Sequence, residues 1–176
     1  MSLDKYKREA MERPPKTTVE GEAGAGKSFF ALSAPKAFVI NTDDGIDEIL
    51  LRRPDIMVAD AVPVGDIEGN AKIYDGIIET LTELAREKHD RKSIIIDSLD
   101  RLEMLAQAKV CVEHSIKAPE DLGYGKAYVY ARGKIQRVLA GLNYLREHKG
   151  MEPICVCHTQ IRTINKPTLE PYDIFT

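Results

Sequence analysis

Gly21-Glu22-Ala23-Gly24-Ala25-Gly26-Lys27-Ser28 follows a short β-prone run, Thr17-Thr18-Val19-Glu20, and leads into Phe29-Phe30-Ala31-Leu32. The octet fits the pattern G-x-x-x-x-G-K-[ST] between a strand and a helix, the context in which that pattern binds a nucleoside triphosphate. Glycine lets the backbone curl until successive N–H groups face phosphate oxygens, and the helix that begins there adds the positive end of its dipole. Lys27 is expected on the β- and γ-phosphates and the Ser28 hydroxyl on Mg²⁺. The nucleotide contact is expected to run over Gly21, Glu22, Ala23, Gly24, Ala25, Gly26, Lys27, Ser28 and Phe29.

Outward from this loop the chain alternates strand and helix. A helix from Lys27 stops near Ser33, because Pro35 disfavours helical geometry in the residue ahead of it. Ala37-Phe38-Val39-Ile40-Asn41 reads as a strand, Ile46 to Arg53 as a short helix, and Ile56-Met57-Val58-Ala59 as a weaker strand. Between Asn70 and His89, Ile73, Ile77, Leu81, Leu84 and Ala85 fall on one helical face. Ser93-Ile94-Ile95-Ile96-Asp97 is a continuous apolar run of the kind covered on both faces of a sheet. Leu99 to about His114 is helical again. Ala127, Ala131, Ile135, Val138, Leu142 and Leu145 step by fours and threes along one long helix, and Ile154-Cys155-Val156-Cys157-His158 is a further buried strand. The order predicts an α/β domain around a mainly parallel sheet with helices on both faces.

The chain has 176 residues, room for one ordinary domain and not two. Residues 1–16 end in Arg13-Pro14-Pro15-Lys16 and read as an N-terminal arm, and residues 17–176 as the domain. No apolar run approaches the ~20 residues that span a bilayer. The charged amino terminus lacks the apolar core of a secretion signal, so no membrane partner and a cytoplasmic location are expected. Cys111, Cys155 and Cys157 form neither a disulfide framework nor a zinc spacing, and Cys155 and Cys157 read as core thiols on one strand face. The net charge of −3 is unevenly spread: +2 over 1–16, −8 over 17–120 and +3 over 121–176. A DNA-binding surface would therefore lie in the last third or the amino-terminal tail.

Phosphoryl chemistry needs an acid beside the metal, held at the end of a buried strand, and Asp97 fits; its alternative role is capping the next helix. Ser98 is placed to bond a metal-bound water. Asp43 and Asp44 follow the second strand, where a carboxylate can orient or deprotonate the attacking water, or else cap the helix at Ile46. His158 ends a later strand, either as a neutral imidazole sensing the γ-phosphate or as a buried histidine with its bonds satisfied.

Phe38-Val39-Ile40-Asn41-Thr42-Asp43, Ile94-Ile95-Ile96-Asp97-Ser98 and Cys155-Val156-Cys157-His158-Thr159-Gln160 together resemble the RecA-like branch of the P-loop ATPases. More closely, over residues 14–176, the chain resembles AAA-type nucleotide-binding proteins of phages, associated with recombination and single-strand annealing. These also carry a segment like Gly123-Tyr124-Gly125-Lys126. The resemblance implies an ATPase using ATP and Mg²⁺, with Lys27 and Ser28 on phosphate and metal and Asp97 on the metal-bound water. Asp43 would stand where relatives place a catalytic glutamate, one methylene longer. His158 would stand at the γ-phosphate sensor, with Gln160 as the alternative if the alignment shifts by two. Lys126 would touch DNA or a neighbour's nucleotide, or be a solvated lysine at a helix start. Implied partners are single-stranded DNA, further copies of the chain, and replication or recombination proteins. Because relatives continue into further strands, Tyr172-Asp173-Ile174-Phe175-Thr176 would mark a truncated or minimal end, and Arg162 to Thr176 a mobile loop at the DNA-binding position.

Two other classes fit a phosphate loop. A nucleotide kinase needs an arginine-rich lid, and the only adjacent arginine pair, Arg52-Arg53, precedes Pro54 in a loop. A nucleotide-gated adaptor would bind ATP and barely hydrolyse it. The guanine-specific Asn-Lys-x-Asp pattern is absent, its nearest approach being Asn165-Lys166-Pro167-Thr168, which favours adenine.

Overall fold

The computed structural model describes residues 12–159 together with the backbone of 161–164 and 172–175. Five strands, β1 (Thr17–Gly21), β2 (Ala37–Asn41), β3 (Met57–Asp60), β4 (Ser93–Asp97) and β5 (Glu152–His158), form one sheet in the order β1-β5-β4-β2-β3. Every pairing in it is parallel. The intervening helices are α1 (Lys27–Leu32), α2 (Asp47–Arg52), α3 (Ile67–Arg86), α4 (Leu99–Glu113) and α5 (Lys126–Lys149), with a 3₁₀ turn at Pro119–Leu122 before α5. The fold is the RecA-like P-loop α/β type.

Strand order explains the layers. The connections from β1 to β2 and from β2 to β3 advance along the sheet, while those from β3 to β4 and from β4 to β5 return. Right-handed crossovers then put α1 and α2 on one face and α3, α4 and α5 on the other. The buried side chains follow this division strand by strand. Phe38, Ile40, Ile94, Ile96 and Cys155 pack with Tyr74, Ile77, Leu81, Leu102, Leu105, Val138 and Leu142 on the α3–α5 face. Val39, Ile95, Ile154 and Val156 pack with Ala31, Leu32, Ile46 and Ile56 on the other. Isoleucine at three successive positions of β4 serves both layers, because neighbouring side chains point to opposite faces.

Several boundaries move from their sequence-based positions. The long third helix begins at Ile67 rather than Asn70, because the Asp66 side chain caps it by accepting the Gly69 N–H at 2.6 Å. Its buried face is Ala71, Tyr74, Ile77, Leu81 and Leu84; Ile73 and Ala85 are only partly covered. Strand β5 starts two residues early, at Glu152, and takes in Pro153, opposite Ile94 of β4. Along α5, Ala127, Ala131, Val138, Leu142 and Leu145 are buried as expected. Cys155 is buried and Cys157 half-buried, both as free thiols.

Beyond the main sheet, β6 (Ile161–Ile164) and β7 (Tyr172–Phe175) pair antiparallel, with Ile161 opposite Phe175 and Ile164 opposite Tyr172. The loop expected over Arg162 to Thr176 thus contains two strands, because Ile161–Ile164 and Tyr172–Phe175 satisfy each other's backbone groups as a hairpin ladder. The rest of that segment, Gln160 and most of the expected N-terminal arm lie outside the described residues. At the base of the arm, Arg13 pairs with Glu147 at 2.9 Å and Arg146 donates to the Pro14 carbonyl, which ties residues 13 and 14 to α5. No helix among the described residues is long and apolar enough to cross a membrane.

Candidate nucleotide site

The carboxyl ends of β1, β5, β4 and β2 open side by side, where parallel α/β sheets bind ligands. The phosphate loop leaves β1 and turns through Gly24 and Gly26, whose φ angles of +78° and +81° are left-handed and open to glycine at no steric cost. Gly26 caps α1, and Lys27 is its first residue. Lys27 is 7% exposed, and its ammonium donates to the Glu22 carbonyl across the loop at 2.7 Å. Phe29 points outward from α1 and is well exposed. The loop closes onto β5, where Thr159 N–H donates to the Gly21 carbonyl at 3.1 Å.

Asp97 ends β4 at 2% exposure. Burial raises its carboxyl above the ordinary carboxylate range, the Ser28 hydroxyl bonded to it pulls the other way, and Asp43 adds a further upward push; His158 and Lys27 also act on it, downward. One carboxyl thus senses Lys27, Ser28, Asp43 and His158, the residues expected to bear catalysis and, with Asp97, the metal. Asp97 does not cap α4, whose cap residue is Ser98 without a side-chain capping bond. Nor do Asp43 and Asp44 cap α2, whose cap residue is Ile46; Asp43 Oδ1 instead accepts the Asp44 N–H at 3.1 Å.

The residues present fit a hard divalent cation. Asp97 Oδ2 and Ser98 Oγ, adjacent at the end of β4, are buried polar atoms without a hydrogen-bond partner, as are Asn41 Oδ1 and His89 Nδ1 among the described residues. Ser28 and Asp97 would hold Mg²⁺, which takes few protein ligands and completes its shell with phosphate and water. Among the described residues no cluster of three or more His, Cys, Asp or Glu forms an all-protein metal cage. When bound, the cation would neutralise phosphate charge.

Three residues complete the site without having been singled out as site residues. Thr42, fully buried, donates its hydroxyl to the Ser98 carbonyl at 2.7 Å and accepts the Ser98 N–H at 2.6 Å. The Thr42 and Asp43 N–H groups both donate to the Asp97 carbonyl, at 2.7 and 3.0 Å. These four bonds lock the end of β2 to the end of β4. Asp100, in the first turn of α4, takes the His158 N–H at 2.9 Å and meets ring Nδ1 at 3.1 Å. Arg101 Nε lies 3.7 Å from Asp43 Oδ1, and His158 Nε2 lies 3.9 Å from Asp43 Oδ2. His158 is therefore a partly exposed histidine held by acids rather than a core residue. Asp100 stands three residues after Asp97, across the strand-to-helix junction, and nothing else in the local sequence marks it.

The Lys126 ammonium makes no hydrogen bond or ion pair with these side chains. It opens α5 after Gly123, Tyr124 and Gly125, three successive left-handed residues at φ +67°, +50° and +67°. Tyr124 is fully exposed at the tip.

Fold and site together define a P-loop nucleotide-binding protein of the RecA-like α/β class. The chain belongs to the AAA domain family, whose model matches residues 13–176, and the family carries nucleotide-binding ATPase activity. No curated protein matches it.

Proposed function

We propose that this protein is a Mg²⁺-dependent ATPase of phage DNA recombination or replication, which binds single-stranded DNA as an oligomer. The observation that carries the catalytic part is the convergence on Asp97. The buried Asp97 carboxyl, with one oxygen unpartnered, is hydrogen-bonded by the Ser28 hydroxyl and lies within the fields of Lys27, Asp43 and His158. Lys27 holds the terminal phosphates. Ser28 and Asp97 hold the metal. Asp43 orients the attacking water, and His158 responds to the γ-phosphate from the end of β5.

What supports the DNA and oligomer parts is the phage-family resemblance, together with the positive charge of residues 121–176. The test is titration of a fluorescent single-stranded oligonucleotide with ATP analogue, ADP or no nucleotide, beside a Lys27→Ala variant, with the sedimentation of each mixture. Nucleotide-dependent affinity in the unmodified chain alone is the expected result. Undetectable DNA affinity in every state would reduce the function to the ATP-binding core.

A further inference from the structure

His158 ends β5 beside Gly21, its register partner in β1. A single oxygen of Asp100 meets it twice, accepting the main-chain N–H at 2.9 Å and standing 3.1 Å from ring Nδ1. A carboxylate has only acceptor sites, so the ring supplies the proton and carries it on Nδ1. In the neutral ring Nε2 then keeps a bare lone pair. That lone pair faces Asp43, with 3.9 Å between Nε2 and Oδ2.

Two acceptors at this separation cannot bond each other, but one water can join them. Bonds of about 2.8 Å to each would subtend roughly 90° at the water oxygen, close to the angle between its own protons. Both protons are then engaged, and the oxygen lone pairs point away from the two residues.

We propose that Asp43 and His158 grip the attacking water together, Asp43 as an orienting acceptor and His158 as the general base, with Asp100 as the positioning residue that fixes the required tautomer. This rests on the ATPase reading and divides the labour within its site. The water oxygen bonds to the terminal phosphorus as the bond from phosphorus to the bridging oxygen breaks, and that electron pair leaves with the nucleoside diphosphate. One water proton passes to Nε2; the other stays on the phosphate product. The resulting imidazolium lies between the Asp100 carboxylate at 3.1 Å and that of Asp43 at 3.9 Å. A ring whose Nε2 is bare cannot donate to phosphate, so His158 senses the terminal phosphate through the water it holds.

Two measurements test this on the full chain. Imidazole ¹⁵N shifts of the nucleotide-free protein, labelled at histidine and assigned with a His158→Gln variant, report the tautomer without any turnover. The Nδ1–H form is expected in the unmodified chain and in Asp100→Asn, which keeps an acceptor oxygen, and a mixture in Asp100→Ala. An Nε2–H ring in the unmodified chain, or no change in Asp100→Ala, would overturn the assignment. In single-turnover hydrolysis, Asp100→Ala is expected to bind a fluorescent ATP analogue within about twofold of normal and to react about 10²-fold more slowly, the size of a general-base contribution. Asp100→Asn should fall between them, since geometry survives and one counter-charge is lost. Weakened nucleotide binding at an unchanged rate would sink the general-base role. No hydrolysis in the unmodified chain, by contrast, would sink the ATPase reading, leaving the ¹⁵N shifts to decide whether Asp100 positions the ring.

Discussion

Asp97 pays for its position in stability. Its carboxyl is raised from the ordinary 3.8 chiefly by burial, so the folded protein holds that proton more tightly than the unfolded chain does. The sign follows: its contribution favours folding most below the ordinary carboxylate range and declines as pH rises through the raised value. Asp97→Asn, which keeps a polar partner for Ser28 but no charge, is therefore expected to raise the melting temperature of the nucleotide-free protein at neutral pH. The gain should shrink on acidification. A variant less stable than the parent at neutral pH would contradict this account. The place of Asp97 was legible in the sequence, since it closes the continuous apolar run of a buried strand, and the structure buries it there. Asp100 was not, because its partner His158 lies 58 positions away and only the fold brings β5 beside the start of α4. Thr42 escaped for the same reason: its two bonds to Ser98 span 56 positions.

At the scale of elements, periodicity located what it could. Val138, Leu142 and Leu145 fall on a repeating face, and α5 buries them. The start of α3 was missed because its signal is a single capping aspartate rather than a pattern. Asp66 accepts the Gly69 N–H at 2.6 Å from an exposed position, so Asp66→Ala should cost about 1 kcal/mol in urea unfolding and leave the core intact. A helix held by its core contacts alone would show no loss. The strut between α3 and α5 is a second element-scale feature. Tyr74, 1% exposed, donates its hydroxyl to the Lys134 carbonyl at 2.9 Å, and burial pushes its phenol up to about 12. Tyr74→Phe removes that bond alone and should cost about 1 kcal/mol. An equal stability in the two proteins would show that the bond adds nothing beyond the ring's packing. No local pattern announces this contact, because it joins helices separated by the whole of β4 and α4.

Across the whole molecule, the nucleotide site touches the ends of β1, β2, β4 and β5, four of the five strands of one sheet. A ligand bound there links parts of the chain that unfolding would separate, so its binding energy adds directly to the stability of the fold. At a free nucleotide concentration 100 times Kd the gain is about 2.7 kcal/mol, which for a domain of this size raises Tm by roughly 5–11 °C. Lys27→Ala removes the cation that faces the phosphates and forfeits a charged hydrogen bond, about 1.5–3 kcal/mol, or roughly 10- to 100-fold in affinity. The shift with ATP should therefore fall to between about a half and a sixth of its size in that variant at the same concentration. Chelating Mg²⁺ should reduce the shift in the unmodified chain, because Asp97 would then face phosphate without a cation between them. Asp97→Asn would lose the Mg²⁺-dependent part of the shift while starting from the higher baseline argued above. Differential scanning fluorimetry of the three proteins, with and without ATP, Mg²⁺ and chelator, reads all of these. An undiminished ATP shift in Lys27→Ala would place the nucleotide somewhere other than Gly21 to Ser28.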